Sequence, residues 1–400
     1  MISRRDVLRR STLFSLAPTV PGFLARTARA GSPERDSRIL VIIQLDGGND
    51  GINTVVPYKD EGYKKNRREL RLRSDELIKL DERVGIGLNP AMRTFDKLFE
   101  NGHLAIVHGV GYPNPSRSHF ESMTVWQSAR ANAGERDGYG WLGRGLDTAR
   151  ACAGGSPAAI FLSRSDLPLA IRGRRAVAAA LTDPDDFTLR PGADPRGDGV
   201  RAPTSELGSF IERSALDAYA FADQMSAIAN GRRKNASYPS TALGERLSLV
   251  AGLIGAGLGS RVYYAVQSGY DTHSVQGQRH GELLGELAGA IRAFHDDLAA
   301  LELGDRVAVF CFSEFGRRVE ENGSQGTDHG TAGPVFVVGS GVRGGLIGTP
   351  PSLVDLDPEG DLKMTVDFRR VYASALEDWL GIPAEPVLGS SHRPVSLFKA

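Results

Sequence analysis

The chain has little cysteine: Cys152 and Cys311 are the only two in 400 residues. They could form one disulfide at most, which excludes both a disulfide framework and a cysteine-built zinc site, and the expectation is two buried thiols. No uninterrupted apolar run approaches the ~20 residues needed to cross a bilayer, so no stable membrane anchor is expected. There is no net charge either, with 48 basic side chains against 48 acidic ones, which argues against a whole-chain basic surface and an obligate nucleic-acid partner. Two motifs are also missing. Without a G-x-S-x-G elbow the serine hydrolases of the α/β-hydrolase type are excluded, and without a G-x-x-x-x-G-K-[ST] loop so are the P-loop enzymes. What is present, 41% hydrophobic and 24% charged residues, suits a sizeable globular core rather than a disordered tail, a collagen or a coiled coil.

The zero charge is a sum of two unlike parts. The first thirty residues hold Arg4, Arg5, Arg9, Arg10, Arg26 and Arg29 against Asp6, a net of +5, leaving 42 basic and 47 acidic groups, or −5, for the rest. A paired arginine in Ser3-Arg4-Arg5-Asp6-Val7-Leu8, a modest apolar stretch from Leu13 to Ala25, and Ala28-Arg29-Ala30 ahead of Gly31 have the form of a twin-arginine export signal. The competing reading, an amphipathic helix of the fold, is opposed by Pro18, Pro21 and Gly22. Residues 1–30 are therefore expected to be a leader read by the twin-arginine translocation machinery. The mature domain, 31–400, would then work in the periplasm or outside the cell. Because this route carries folded proteins, a bound cofactor is expected.

The run Arg38-Ile39-Leu40-Val41-Ile42-Ile43-Gln44-Leu45-Asp46-Gly47-Gly48 has the pattern of a strand buried on both faces, ending in an acid and two glycines. Similar runs recur at 104–110, 158–162, 261–267, 306–312 and 334–338, with helical periodicity between them, clearest over 275–301 and 367–380. Strand and helix alternating in this way predict a single large three-layer α/β/α domain with a mostly parallel sheet. Residues 129–240, rich in Arg, Asp, Gly and Pro, read as an insertion, with a loop over 182–203 and helical spacing over 205–229. The insertion could be a cap over the site or a solvated excursion.

In an open α/β sheet, ligands bind beyond the carboxyl ends of the strands. The polar residues there are Asp46, the Tyr112–His119 segment, Asp271-Thr272-His273, Ser313-Glu314-Phe315-Gly316-Arg317, and Gly326-Thr327-Asp328-His329-Gly330 before the last strand. Carboxylates and imidazoles together suit a divalent cation such as zinc, manganese or iron. Asp46 could equally cap a helix, and His119 could be structural. Asp271 and His273 alternate onto one face of an extended segment and can close on one ion. Asp328 and His329 lie between glycines that allow a close backbone approach.

The order of these residues resembles the alkaline phosphatase and sulfatase superfamily, especially its phosphopentomutase-like branch. The leader together with Leu45-Asp46-Gly47-Gly48-Asn49-Asp50-Gly51, Ser313-Glu314-Phe315-Gly316-Arg317 and Gly326-Thr327-Asp328-His329-Gly330 is similar to an exported bacterial family of unknown function within it. The superfamily resemblance covers the core, and the family resemblance nearly the whole chain. It implies one or two divalent ions, zinc or manganese, in an alkaline phosphatase-like site. Asp46 would take the first-strand role, Asp271, His273 and His329 would hold the second ion, and Glu314 would stand for the acid of an Asp-His pair. Phe315 occupies that pair's histidine position, so the first ion loses a ligand unless His119 or Asp328 substitutes, and Pro115 falls at the nucleophile position.

The implied activity is hydrolysis of a phosphate or sulfate ester, small-molecule or polymer. Ser118 is the preferred nucleophile and Ser116 the other candidate, since Ser118 would open a helix whose backbone N–H groups favour an anion. Arg117 or Arg317 would steady the non-bridging oxygens. The alternative from another class is an exported binding or scaffold protein that keeps the fold with a partly lost site, favoured by Phe315 and Pro115.

Overall fold

The computed structural model describes residues 38–149, 157–163, 166–181 and 236–399. The expected leader, Cys152, the 182–203 loop and the 205–229 helix lie outside these residues. The strands, in chain order, are β1 (Ile39–Asp46), β2 (Val55–Pro57), β3 (Ile78–Asp81), β4 (Ile86–Leu88), β5 (Leu104–Gly111), β6 (Ala159–Leu162), β7 (Ala178–Leu181), β8 (Val262–Ser268), β9 (Val307–Ser313), β10 (Gly333–Val338), β11 (Gly345–Ile347) and β12 (Val366–Asp367). Nine of them form one sheet in the order β11-β5-β10-β9-β1-β8-β6-β7, with β12 also on β5, while β2, β4 and β3 form a small separate sheet. The pairings of β1 with β8 and β9, of β8 with β6, of β6 with β7, and of β5 with β11 and β12 are parallel. Among the described strands of the large sheet, only β10 runs against its neighbours, β9 and β5, while the small sheet is antiparallel.

The continuous apolar run of β1 has its cause in this arrangement. Leu40 and Ile42 point into one core, Val41, Ile43 and Leu45 into the other. Strand β9 divides likewise, with Val309 and Cys311 on one side and Phe310 and Phe312 on the other. A strand covered on both faces has no polar side to present, so the period-2 alternation disappears. The helices Ala242–Gly255 and Gln276–Ala300 cover one face, the second through Leu283, Leu284, Leu287, Ile291, Phe294 and Leu298, spaced as one helical stripe. Helices Trp141–Thr148 and Phe368–Ala373, the latter continuing as a π-helix over Ser374–Leu380, cover the other. The fold is α/β in three layers with a mostly parallel sheet.

The six runs read from the sequence all form strands of the large sheet. Within the span 129–240, Trp141, Leu142 and Leu146 are buried in the core, and β6 and β7 extend the sheet beyond β8. Cys311 is a buried free thiol. Among the described residues no helix is long and apolar enough to cross a membrane.

The antiparallel β10 has a direct consequence for the site. Parallel strands β1, β8, β9 and β5 all end at one edge, delivering Asp46, Asp271, Glu314 and the segment leading to His119. Because β10 runs the other way, the residues before it, 326–330, reach the same edge.

Candidate metal centre

Three histidines and one aspartate converge there. Ligand atoms of His119, Asp271 and His329 lie within 4.8 Å of one another. His273 joins them, its Nε2 standing 2.9 Å from His329 Nε2 and 3.0 Å from Asp271 Oδ1. His329 Nε2 is 3.1 Å from the same carboxylate oxygen, and His119 Nε2 is 3.5 Å from Asp271 Oδ2.

The other nitrogen of each ring faces an acceptor. His329 Nδ1 donates to the Arg117 carbonyl at 2.8 Å, His273 Nδ1 to Asp328 Oδ1 at 3.0 Å and His119 Nδ1 to Glu314 Oε1 at 2.8 Å. A carbonyl or carboxylate can only accept, so each Nδ1 carries the proton and each Nε2 of a neutral ring presents a lone pair. With the proton on Nδ1 alone, three lone pairs would meet beside a carboxylate; without an ion, the Nε2 atoms of His273 and His329, at 3.0 and 3.1 Å from Asp271 Oδ1, are also placed to carry a proton toward it. His119 Nε2 is buried with no hydrogen-bond partner. Lone pairs this close repel unless a proton or a metal ion lies among them, and three imidazole nitrogens plus one carboxylate oxygen are a donor set that suits zinc. The residues fit a divalent ion.

Electrostatics keep the carboxylates charged as such an ion requires. Partial burial pushes the Asp271 carboxyl up, but the hydrogen bond from Arg317, the Nε2 contact of His329 and the Arg317 charge outweigh it and hold the group at about 2. At Asp328 a slight burial effect is likewise overcome by bonds from His273 and Asn322, and its pKa is lowered. The hydrogen bond to Glu314 raises that of His119, so an ion binding there must displace a proton from the ring.

The sequence-predicted residues therefore take different positions around the centre. Asp271, His273, His329 and His119 bring donor atoms together. Glu314 and Asp328, expected as ligands, stand behind His119 and His273 on the Nδ1 side. Glu314 is 1% exposed and also accepts from the Gly47 N–H at 2.9 Å and the Ser313 hydroxyl at 3.0 Å, which fixes its carboxylate. Asp46 lies next to Glu314 and His119 electrostatically, its carboxyl raised by burial and by Glu314, and makes no hydrogen bond to the histidines. Phe315 is buried, its ring centroid 4.9 Å from that of His119 and 4.8 Å from that of His329, so it packs beside both imidazoles, which touch each other edge to face with centroids 4.3 Å apart.

Arg317, expected to steady substrate oxygens, is fully buried and its donors are taken: Nε by the Gly48 carbonyl, Nη1 by Thr327, Nη2 by Gly47, Tyr270 and, at 2.7 Å, Asp271 Oδ1. It positions Asp271. Arg117 is partly exposed and pairs through Nε with Asp361 Oδ2 at 2.7 Å. Ser118 immediately precedes helix His119–Ser128, is exposed and makes no capping bond, whereas the Ser116 hydroxyl accepts from the Ser118 N–H at 3.1 Å.

The glycines of the 326–330 segment do allow a close approach. A Cβ on Gly326 would overlap the carbonyl of His273. Gly326→Ala is expected to push apart the two loops that carry His273 and His329, costing about 1–3 kcal/mol of stability, read from a guanidinium denaturation curve. An unchanged midpoint would show that the loops can separate freely.

Sequence reasoning missed the groups behind the centre: Arg67, Gln276, His280 and Asn322, with Asp50 quoted in a motif but given no role. Asn322 Nδ2 donates to the His273 carbonyl at 3.0 Å and to Asp328 Oδ1 at 3.2 Å. His280 Nε2 is 2.9 Å from Asn49 Oδ1, and burial pushes its pKa down to about 4. Only the clustering of polar residues after β1 hinted at this layer.

The family model described as "Protein of unknown function (DUF1501)" matches residues 105–389, a span holding every converging side chain. Among solved structures the chain is similar to the PsFucS1 sulfatase from Pseudoalteromonas sp., with 10% identity and a TM-score of 0.37 over 98% of this chain and 77% of that one. It is also similar to the C-terminal periplasmic domain of EptC from Escherichia coli in complex with zinc, with 8% identity and a TM-score of 0.36 over 77% and 75%. A third is the lipoteichoic acid synthase LtaP from Listeria monocytogenes, with 9% identity and a TM-score of 0.34 over 87% and 80%. No curated protein matches the chain by sequence.

Proposed function

The chain belongs to the DUF1501 family of proteins of unknown function, and from that starting point we propose that it is an exported metal-dependent hydrolase of phosphate or sulfate esters with an alkaline phosphatase-like site. The observation that carries this reading is the convergence of three imidazole Nε2 atoms on Asp271, each ring held from behind by an acceptor on Nδ1. His119, Asp271, His273 and His329 would hold a divalent ion, zinc or manganese. Such an ion supplies Lewis acidity, which lowers the pKa of a hydroxyl and stabilises charge on a phosphoryl or sulfuryl oxygen.

The chain's own residues do the rest. Glu314, Asp328 and the Arg117 carbonyl favour the proton on Nδ1, Arg317 fixes Asp271, and Phe315 packs against two of the rings. Ser118 offers the hydroxyl at the start of a ten-residue helix, whose first backbone N–H groups face an anionic ester favourably. Arg117, partly exposed beside it, offers the guanidinium for the non-bridging oxygens. Residues 1–30 would direct export by the twin-arginine route.

The test is a screen of zinc- and manganese-loaded protein against chromogenic phosphate monoesters, phosphate diesters, phosphonates and sulfates. Turnover of at least one class is expected, and Ser118→Ala is expected to lower it on the order of 10³-fold or more. Full hydrolysis in both Ser118→Ala and Ser116→Ala would remove the serine from the scheme. No turnover of any class by metal-loaded protein would overturn the reading.

A further inference from the structure

We infer that Gln276 is a positioning residue that sets the spacing of the two ligand-bearing loops, with Asp50 and Arg67 as its anchor; this rests on the metal reading above. Gln276 is fully buried at the first position of helix Gln276–Ala300, and its side-chain hydrogen bonds go to Thr272, Thr327 and Asp50 rather than to the four converging side chains. Its Oε1 accepts from two hydroxyls, Thr272 at 3.0 Å and Thr327 at 2.6 Å. Thr272 lies between Asp271 and His273, and Thr327 precedes Asp328 and His329. One amide oxygen thus ties together the segment after β8 and the segment before β10.

The amide cannot turn over. Its Nε2 donates to Asp50 Oδ2 at 2.5 Å, and since an ionised carboxylate only accepts, the nitrogen must face Asp50 and the oxygen the two threonines. The carboxylate is itself fixed by Arg67, whose Nη1 reaches Oδ2 at 2.5 Å and whose Nη2 reaches Oδ1 at 3.0 Å. Arg67 is held in turn by the carbonyls of Val319 at 2.8 Å and Arg318 at 2.9 Å. The chain of contacts therefore starts on elements fixed by β1 and ends on two loops outside any regular element.

The backbone beside Gln276 carries the same signature. Val275 sits at φ 45°, ψ 44° and is 70% exposed, so a β-branched side chain is held in the left-handed region with no packing of its own to offset it. What holds it there is a pair of bonds to the second loop: Val275 N–H to the Ser324 carbonyl at 3.0 Å and Gln276 N–H to that of Gln325 at 2.8 Å. The helix start is strained in order to face that loop.

The test measures zinc affinity by competition with a chromogenic chelator in the wild type, Gln276→Met, Thr327→Val and Thr327→Ser, alongside the melting temperature of each metal-free protein. Loss of a group that orients a ligand typically lowers metal affinity ~10–100-fold, and that loss is expected in Gln276→Met and Thr327→Val. Thr327→Ser keeps the hydroxyl and is expected to retain wild-type affinity. Should Gln276→Met fail to fold, the two threonine variants alone decide the question, because Thr327→Val replaces only the hydroxyl and Thr327→Ser removes only the methyl. Wild-type affinity in Thr327→Val, with or without a lower melting temperature, would overturn the positioning role while leaving the metal centre intact. Absence of zinc binding in the wild type would overturn the metal reading itself, and this inference with it.

Discussion

His329→Ala is expected to lower the affinity of the protein for zinc by about 100-fold or more, above the range for losing an orienting group, because a donor atom itself is removed. His329 Nε2 is central to the cluster, 2.9 Å from His273 Nε2 and 3.1 Å from Asp271 Oδ1, and its ring packs against those of His119 and Phe315. Its Nδ1 bond to the Arg117 carbonyl also links the β10 loop to the segment that holds Ser118. The metal-free variant is expected to fold, since the remaining lone pairs repel one another less once one is gone. Calorimetric zinc titration of the variant beside the wild type checks this. Equal affinities would remove His329 from the ligand set.

Arg67→Met is expected to destabilise the chain by about 3–5 kcal/mol near neutral pH, because it strands a fully buried carboxylate. Both partners of the Arg67–Asp50 pair are 0% exposed. Burial alone would raise the Asp50 carboxyl, but Arg67, by charge and by hydrogen bond, brings it from the ordinary 3.8 down to about 2. The sign of the pH dependence follows. A depressed carboxyl pKa contributes stability that is present above about 3.8 and is lost as pH falls through about 2, amounting to roughly 2 kcal/mol. In Arg67→Met the carboxyl is raised instead, so acidification protonates it and relieves the penalty. The gap between wild type and variant, read from guanidinium curves, is therefore expected to narrow as pH drops from 7 to 4. A gap that widens would show that the Arg67 hydrogen bonds to Val319 and Arg318, not its charge, are what the fold requires.

The large sheet was legible in the sequence because strands buried on both faces leave long apolar runs, as 39–46, 104–111 and 307–313 do. The short strands were not: Ala178–Leu181 and Val366–Asp367 are too brief for any period to show, and pairing with a longer neighbour defines them. The candidate site was legible at the level of which residues gather at one edge, since the strand-end rule places Asp271, His273 and His329 there. It was not legible which side of each imidazole faces inward. That is decided by Glu314, Asp328 and the Arg117 carbonyl, partners far away in sequence that no spacing announces. For the same reason Arg317 could be read as an anion clamp, when its guanidinium is spent on four carbonyls and Asp271. The Asp50–Arg67–Gln276 chain joins residues 17 and 226 positions apart and left no local pattern.

The central claim is that a divalent ion belongs among His119, Asp271, His273 and His329. The most direct test is anomalous diffraction at the zinc edge from crystals of the zinc-loaded protein. A peak within about 2.0–2.2 Å of the three Nε2 atoms and an Asp271 oxygen is expected. A difference map with no anomalous density there, at zinc concentrations that give peaks elsewhere on the surface, would contradict it.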